Sequence, residues 1–170
     1  MASDTPNSKK YAVEPAEFRK VMSAYPTGVV AVTAMIDGDP TGMIVGSFGS
    51  VSLTPPLVSF TASHSSSSYQ KLRKVNRLMI NVLAAEQLPV CQSLSSKTLK
   101  NRWSNVKWNL SRSELPMIDD SLAHIECNRF AVHQVGDHDI VICEVSSMSS
   151  KEDGRPLIFL GSEYSSTVAR

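Results

Sequence analysis

The sequence predicts a mainly β protein, an antiparallel barrel with short helices, on three observations. Six or seven segments are rich in β-branched and apolar residues, and clusters of Gly, Pro, Asp and Ser punctuate them. The helical patterns between them are too short and too few for a βαβ sheet. No GxGxxG follows a strand and no GxxxxGK[ST] occurs, so neither a Rossmann fold nor a P-loop fits.

The elements follow in order. Residues 1–12 read as a flexible tail and 13–170 as a single domain. Phe18, Val21, Met22 and Tyr25 recur at i, i+3, i+4 and i+7, which predicts a helix with one apolar face, ended by Pro26 and Gly28. Two β-rich runs flank Asp37-Gly38-Asp39-Pro40, a hairpin signal. LVSFTAS, 57–63, alternates Val58, Phe60 and Ala62 against Ser59, Thr61 and Ser63. The serines after His64 cap a short helix, YQKLRK, and LMINVL, 78–83, is the next strand. AAEQLPVCQSLSSKTLKNRW reads as helical with a break at Pro89, and 104–120 as irregular, anchored by Trp108 and Pro116. Two long strands, AHIECNRFAVHQV and DIVICEVSSMS, join at Gly136-Asp137-His138; PLIFLG is a last short strand.

Composition excludes several classes of function. With 42% hydrophobic and 19% charged residues the chain has the makeup of a globular domain. A net charge of +1 argues against electrostatic capture of nucleic acid or of an anionic membrane. No apolar run approaches the ~18 residues of a membrane span. The N-terminus lacks a signal-type apolar core, so the chain is expected in the cytoplasm. Cys91, Cys127 and Cys143 have no CxxC spacing, and the four histidines are dispersed, so no metal site is expected.

Three constellations could carry chemistry. SFGSVSLTPP, 47–56, crowds Ser47, Ser50, Ser52 and Thr54 around Gly49. It is either a solvated hairpin or a cradle for a planar polar ligand; its double proline is expected to stop regular pairing. Ser65–Ser68, with His64 and Lys71 nearby, is either a plain cap or a phosphate seat. Gly136-Asp137-His138 is ordinary turn chemistry that could also present a histidine to a redox ligand. A serine hydrolase built on Ser47, Asp137 and His138 is disfavoured. Val45 stands where the nucleophile elbow needs Gly, and an adjacent Asp and His poorly suit the relay.

In order, Tyr25-Pro26-Thr27-Gly28-Val29, Thr41-Gly42-Met43, SFGSVSLTPPL, Asn81-Val82-Leu83 with Gln87, Arg102-Trp103, Glu126-Cys127, Gly136-Asp137-His138 and GRPLIFL with Tyr164 resemble the short-chain flavin reductases. These are the reductase components of two-component flavin-dependent monooxygenases. The resemblance spans about Phe18 to Tyr164. It implies a split β-barrel that binds FMN or FAD and takes hydride from NADH or NADPH. It also implies a homodimer and a separate oxygenase that receives reduced flavin. A carrier or sensor that binds flavin without turning it over is the alternative. On this resemblance Pro26, Thr27, Ser47, Phe48, Ser50, Val51 and Ser52 would flank the isoalloxazine. Ser66 and Ser68 match the phosphate loop, Arg102 is a second phosphate contact, His138 matches the nicotinamide-side histidine, and Tyr164 is placed there too. His64 stands where the phosphate loop often has a basic residue, and Ile44 where a threonine is usual.

Overall fold

The structure is a computed structural model that describes residues 13–98 and 100–167; the expected tail, 1–12, lies outside the described residues. In chain order the elements are α1 (Pro15–Met22), β1 (Thr27–Gly28), β2 (Val30–Ile36), β3 (Asp39–Val45), β4 (Gly49–Leu53) and β5 (Pro56–Ser63). Then come α2 (Ser67–Leu72), β6 (Arg77–Val82), a 3₁₀ turn (Ala85–Gln87), α3 (Leu88–Ser95), β7 (Trp108–Leu110) and β8 (Pro116–Ile118). β9 (Ala123–Val135), β10 (His138–Ser150), β11 (Leu157–Leu160) and β12 (Glu163–Ser166) complete the chain.

The main sheet is antiparallel, in the order β3-β2-β6-β9-β10-β5-β4. Its curvature follows from connectivity. β3 and β4 are opposite edges, yet only residues 46–48 join them. Laid flat, seven strands would separate those edges by about 29 Å. The connection spans at most about 14 Å. The sheet therefore curls until its edges approach. The Ser47 hydroxyl ties that connection to β5, accepting from the Thr61 N–H (2.9 Å) and donating to the Thr61 carbonyl (3.3 Å).

Turn chemistry sets the registers. Asp37 and Gly38, at φ 54° and 84°, form the two-residue loop between paired Ile36 and Asp39, the geometry that Asp-Gly favours. Gly136 and Asp137 form a second two-residue loop between paired Val135 and His138, with Gly136 alone at positive φ (61°). The double proline does not end pairing. Thr54-Pro55 forms a tight turn and the ladder resumes at Leu53 opposite Pro56, the first residue of β5, a position where proline is tolerated and which the β10 pairing does not reach.

β2 is buried on both faces and divides two cores. Val30, Val32 and Ala34 pack inside the barrel with Phe60, Leu72, Leu78, Ile80 and Val141. Val29 and Ala31 face outward onto Leu83, Cys91, Leu94, Ile118 and Leu157. Along β10, Val141 and Cys143 are buried while Ile140 and Ile142 are only half-buried, so the expected two-sided burial of 140–143 resolves into alternation.

Three other expectations change. Pro89 lies in the first turn of α3, where its missing N–H is one the helix leaves free anyway. The segment expected to be irregular contains the β7–β8 hairpin. Buried Asn81 accepts the Ile118 N–H (2.8 Å) and donates to Ala31 O and Thr33 Oγ1, while Gln87 Nε2 donates to Asp119 O (2.7 Å). The two amides of the Asn81…Gln87 motif thus hold consecutive residues of one strap. α1 ends at Met22, before Pro26, and its apolar side stays in solvent: Phe18 is 59% exposed and Val21 65%.

Candidate functional site

Where the barrel edges meet, β4 offers backbone to a ligand. Ser50 pairs with Val58 and Ser52 with Leu57, so Val51 is the extra residue of a β-bulge. A bulge leaves that residue out of the ladder. The other side of β4 is a free edge. Ser50 and Val51 are exposed, and a Cβ at Gly49 would meet nothing within 4 Å. Phe48 packs its ring on the barrel core, leaving its main chain beside the seam. The Ser52 hydroxyl accepts from the Thr54 N–H. Thr27 reaches the same place from β1: a Cβ on Gly46 would lie 2.8 Å from Thr27 Oγ1. The close approach of β1 to the seam thus depends on Gly46, and exposed Pro26 adjoins it.

At the other end of β3 lies a cavity of about 650 Å³, whose lining includes Asp39, Thr41, Gly42, Ser67, Ser68, Lys71, Lys100, Arg102, Trp103 and Trp108. Ser66 uses its hydroxyl to cap α2, accepting from the Tyr69 N–H. Ser68 and Arg102, read as separate contacts, are joined: Arg102 Nη1 donates to Ser68 Oγ at 3.0 Å. Three cations and two serine hydroxyls facing one cavity suit a phosphate. Sequence reasoning did not single out Lys100, Trp103 and Trp108 as lining residues. Trp103 and Trp108 meet edge to face, with centroids 5.8 Å apart.

A third group occupies the shared end of β5 and β10, where Ser63 pairs with His138. His138 Nδ1 lies 2.7 Å from Asp137 Oδ1, and this contact holds the Asp137 carboxyl below its ordinary range. The adjacent pair does hydrogen-bond, but the Ser47 hydroxyl is committed to Thr61, so no Ser-His-Asp relay forms. On the opposite face of β10, buried Asp139 bonds His64 Nε2 (2.8 Å) and the Tyr69 hydroxyl (2.6 Å). The Tyr69 and His64 bonds hold the Asp139 carboxyl low; burial and this carboxylate push the Tyr69 phenol up to about 12. Tyr164 packs on Phe159, the residue paired with Thr27, and its hydroxyl turns toward Cys91 and Ser95 of α3. Burial and Cys91 push that phenol up to about 12.

A planar polar head at the seam and a phosphorylated tail in the cationic cavity would match these two patches. The model of the flavin reductase like domain matches residues 22–167. This chain belongs to the flavin reductase family. A flavin reductase of Pseudomonas putida is 41% identical over 159 residues, covering 93% of each chain. The reductase subunit of a flavin-dependent monooxygenase from Rhodococcus jostii is 36% identical, over 90% of this chain and 78% of its own. The NADH:FAD oxidoreductase of Streptomyces globisporus, solved with NAD and FAD fragments, superposes at a TM-score of 0.85 with 28% identity, over 93% of this chain and 97% of that one. The chain has the split-barrel fold of the flavin reductases.

Among the described residues no helix is long and apolar enough to cross a membrane. No three His, Cys, Asp or Glu side chains among them are placed to hold a metal ion.

Proposed function

We propose that this flavin reductase seats its flavin along β3, ring at the seam and phosphate in the cationic cavity, and hands the reduced flavin to a separate oxygenase. The observation that carries the reading is the pairing of a bulged free edge with a cavity that gathers Lys71, Lys100 and Arg102. Bound flavin supplies the hydride acceptor; the protein supplies orientation and electrostatics. Backbone groups at Ser50, Val51 and Ser52 satisfy the polar edge of the ring, while Pro26 and Thr27 limit it on the β1 side. Ser66 keeps α2 capped so that Ser67 and Ser68 face the phosphate, and Arg102 spans Ser68 and the cavity. His138, anchored by Asp137 and half-exposed, holds the nicotinamide side. Tyr164 buttresses β11 behind Thr27.

A homodimer accounts for apolar surface that the single chain leaves uncovered. Phe18, Val21 and Met22 of α1, with Tyr25 beyond it, and Phe130, Val132 and Val135 of β9 are all exposed. The oxygenase recipient rests on the relative that is named as a monooxygenase reductase subunit.

The deciding experiment follows NADH and NADPH oxidation with FMN, FAD or no flavin. Flavin-dependent oxidation selects the donor and acceptor together. Flavin binding without turnover of either donor would refute the reductase assignment. His138→Ala should lower kcat/KM for the nicotinamide and leave flavin affinity nearly unchanged; unaltered kinetics would remove His138 from the mechanism.

A further inference from the structure

Asp139 is a buried carboxylate that the reaction itself does not call on. It is 3% exposed, beside a half-exposed His138 on the same strand. Successive strand residues point to opposite faces, so Asp139 turns inward where His138 turns out. Its partners lie on both sides of the serine loop. His64 Nε2, from the residue that opens the loop, meets Oδ1 at 2.8 Å. The Tyr69 hydroxyl, three residues past the Ser66 cap, donates to Oδ2 at 2.6 Å. Arg73, from the turn after α2, stands 3.8 Å from Oδ2 with its guanidinium over the Tyr69 ring. Among the described residues these three are the titratable side chains that face the carboxylate.

The same loop is fixed in its main chain from the same end. The His64 N–H donates to Asp137 O, and the His64 carbonyl accepts from Gln70 Nε2 at 2.7 Å. At the far end Arg129 of β9 donates to the Leu72, Arg73 and Val75 carbonyls, which closes the C-terminus of α2. Ser67 and Ser68 therefore sit on a short segment clamped at entry by Asp139 and at exit by Arg129.

We infer that Asp139 is a positioning residue: through His64 and Tyr69 it fixes the serine loop in the geometry that receives the flavin phosphate. This rests on the phosphate seat proposed above. A buried carboxylate with two charge-assisted bonds is hard to replace. Asparagine keeps the shape but can accept on one side only, so one clamp bond is lost or inverted.

Riboflavin lacks the phosphate of FMN, so the ratio of kcat/KM values for FMN and riboflavin, with NADH as donor, reads the phosphate seat separately from the ring site. In Asp139→Asn the preference for FMN falls about tenfold, the size of one lost charged hydrogen bond. Tyr69→Phe removes a single clamp bond and shifts the ratio the same way by less; it decides the matter if Asp139→Asn does not fold. A lowered Tm with an unchanged ratio in both variants overturns the inference and leaves Asp139 a purely structural residue. A preference that rises also overturns it, because Asp139 would then be competing with the phosphate for His64 and Arg73. Wild-type enzyme that does not distinguish FMN from riboflavin refutes the phosphate seat itself, and the inference with it.

Discussion

Asn81→Ala should cost about 3 kcal/mol of stability, and the cost should be read in the β7–β8 hairpin. Asn81 is fully buried and makes three hydrogen bonds. Thr33 Oγ1 keeps Pro116 O as a partner at 2.7 Å, and Ala31 is also paired through the sheet. Ile118 N–H has no such substitute and is buried with its residue, so it bears the desolvation cost of about 1–3 kcal/mol. The space vacated by the amide adds to that. For a domain of this length about 3 kcal/mol lowers Tm by roughly 9 °C. Both tryptophans report the same place, since Trp108 pairs with Ile118 and Trp103 packs on Trp108. Urea titrations followed by tryptophan emission and by circular dichroism, with amide exchange at Ile118, test the reasoning. A loss below about 1 kcal/mol with Ile118 still protected would mean that the strap holds without Asn81.

Arg102→Ala removes the bond to Ser68 and one of the cavity's cations, so FMN turnover should weaken by about tenfold or more while riboflavin turnover changes far less; equal losses would separate Arg102 from phosphate binding. Gly42→Ala puts a Cβ 3.0 Å from Trp103 Cζ2 and 3.3 Å from Thr33 Cγ2, which should cost about 1 kcal/mol and shift tryptophan emission; an unchanged melt would show that the Trp103 ring yields freely. Asp139 has a carboxyl held below its ordinary value by Tyr69 and His64. Its contribution to stability is therefore complete above the unfolded carboxylate pKa of about 3.9 and lost as pH falls through the lower folded value. The Tm gap between wild type and Asp139→Asn should narrow in that acid window; a gap that is flat with pH would contradict the charged clamp.

Much of the fold was legible because alternation and turn chemistry are local. Val58, Phe60 and Ala62 declared the inner face of β5, Asp37-Gly38 a hairpin turn, and the serine cluster a cap for α2, though not which serine. The β7–β8 hairpin was illegible for the opposite reason. Strands of three residues carry no period, and the side chains that hold them, Asn81 and Gln87, lie far back in the chain. Pro89 and Pro55-Pro56 misled because proline breaks an element only in its interior, and here both stand at element ends. The amphipathic stripe of α1 was read correctly as a pattern, but a pattern does not say whether its apolar side meets the chain's own core. At the site, single residues left every motif open between an ordinary and a functional reading, and the ordered family resemblance supplied the roles. What the resemblance did not supply was wiring: Ser68 bonded to Arg102, Ser47 tied to β5, and Asp139 hidden where a strand begins.

At the junction of residues 46–48 the Ser47 hydroxyl holds the chain to β5 just beyond the point where the main-chain pairing of β4 begins. A joint held by one side chain should breathe before the ladders around it, as a belt gives at its buckle. The amide of Thr61, tied to Ser47, would then exchange sooner than its neighbours deeper in β5. A flavin lying against β4 would fasten that joint from outside, so binding and barrel closure would be one equilibrium, and slower exchange at Thr61 would measure both.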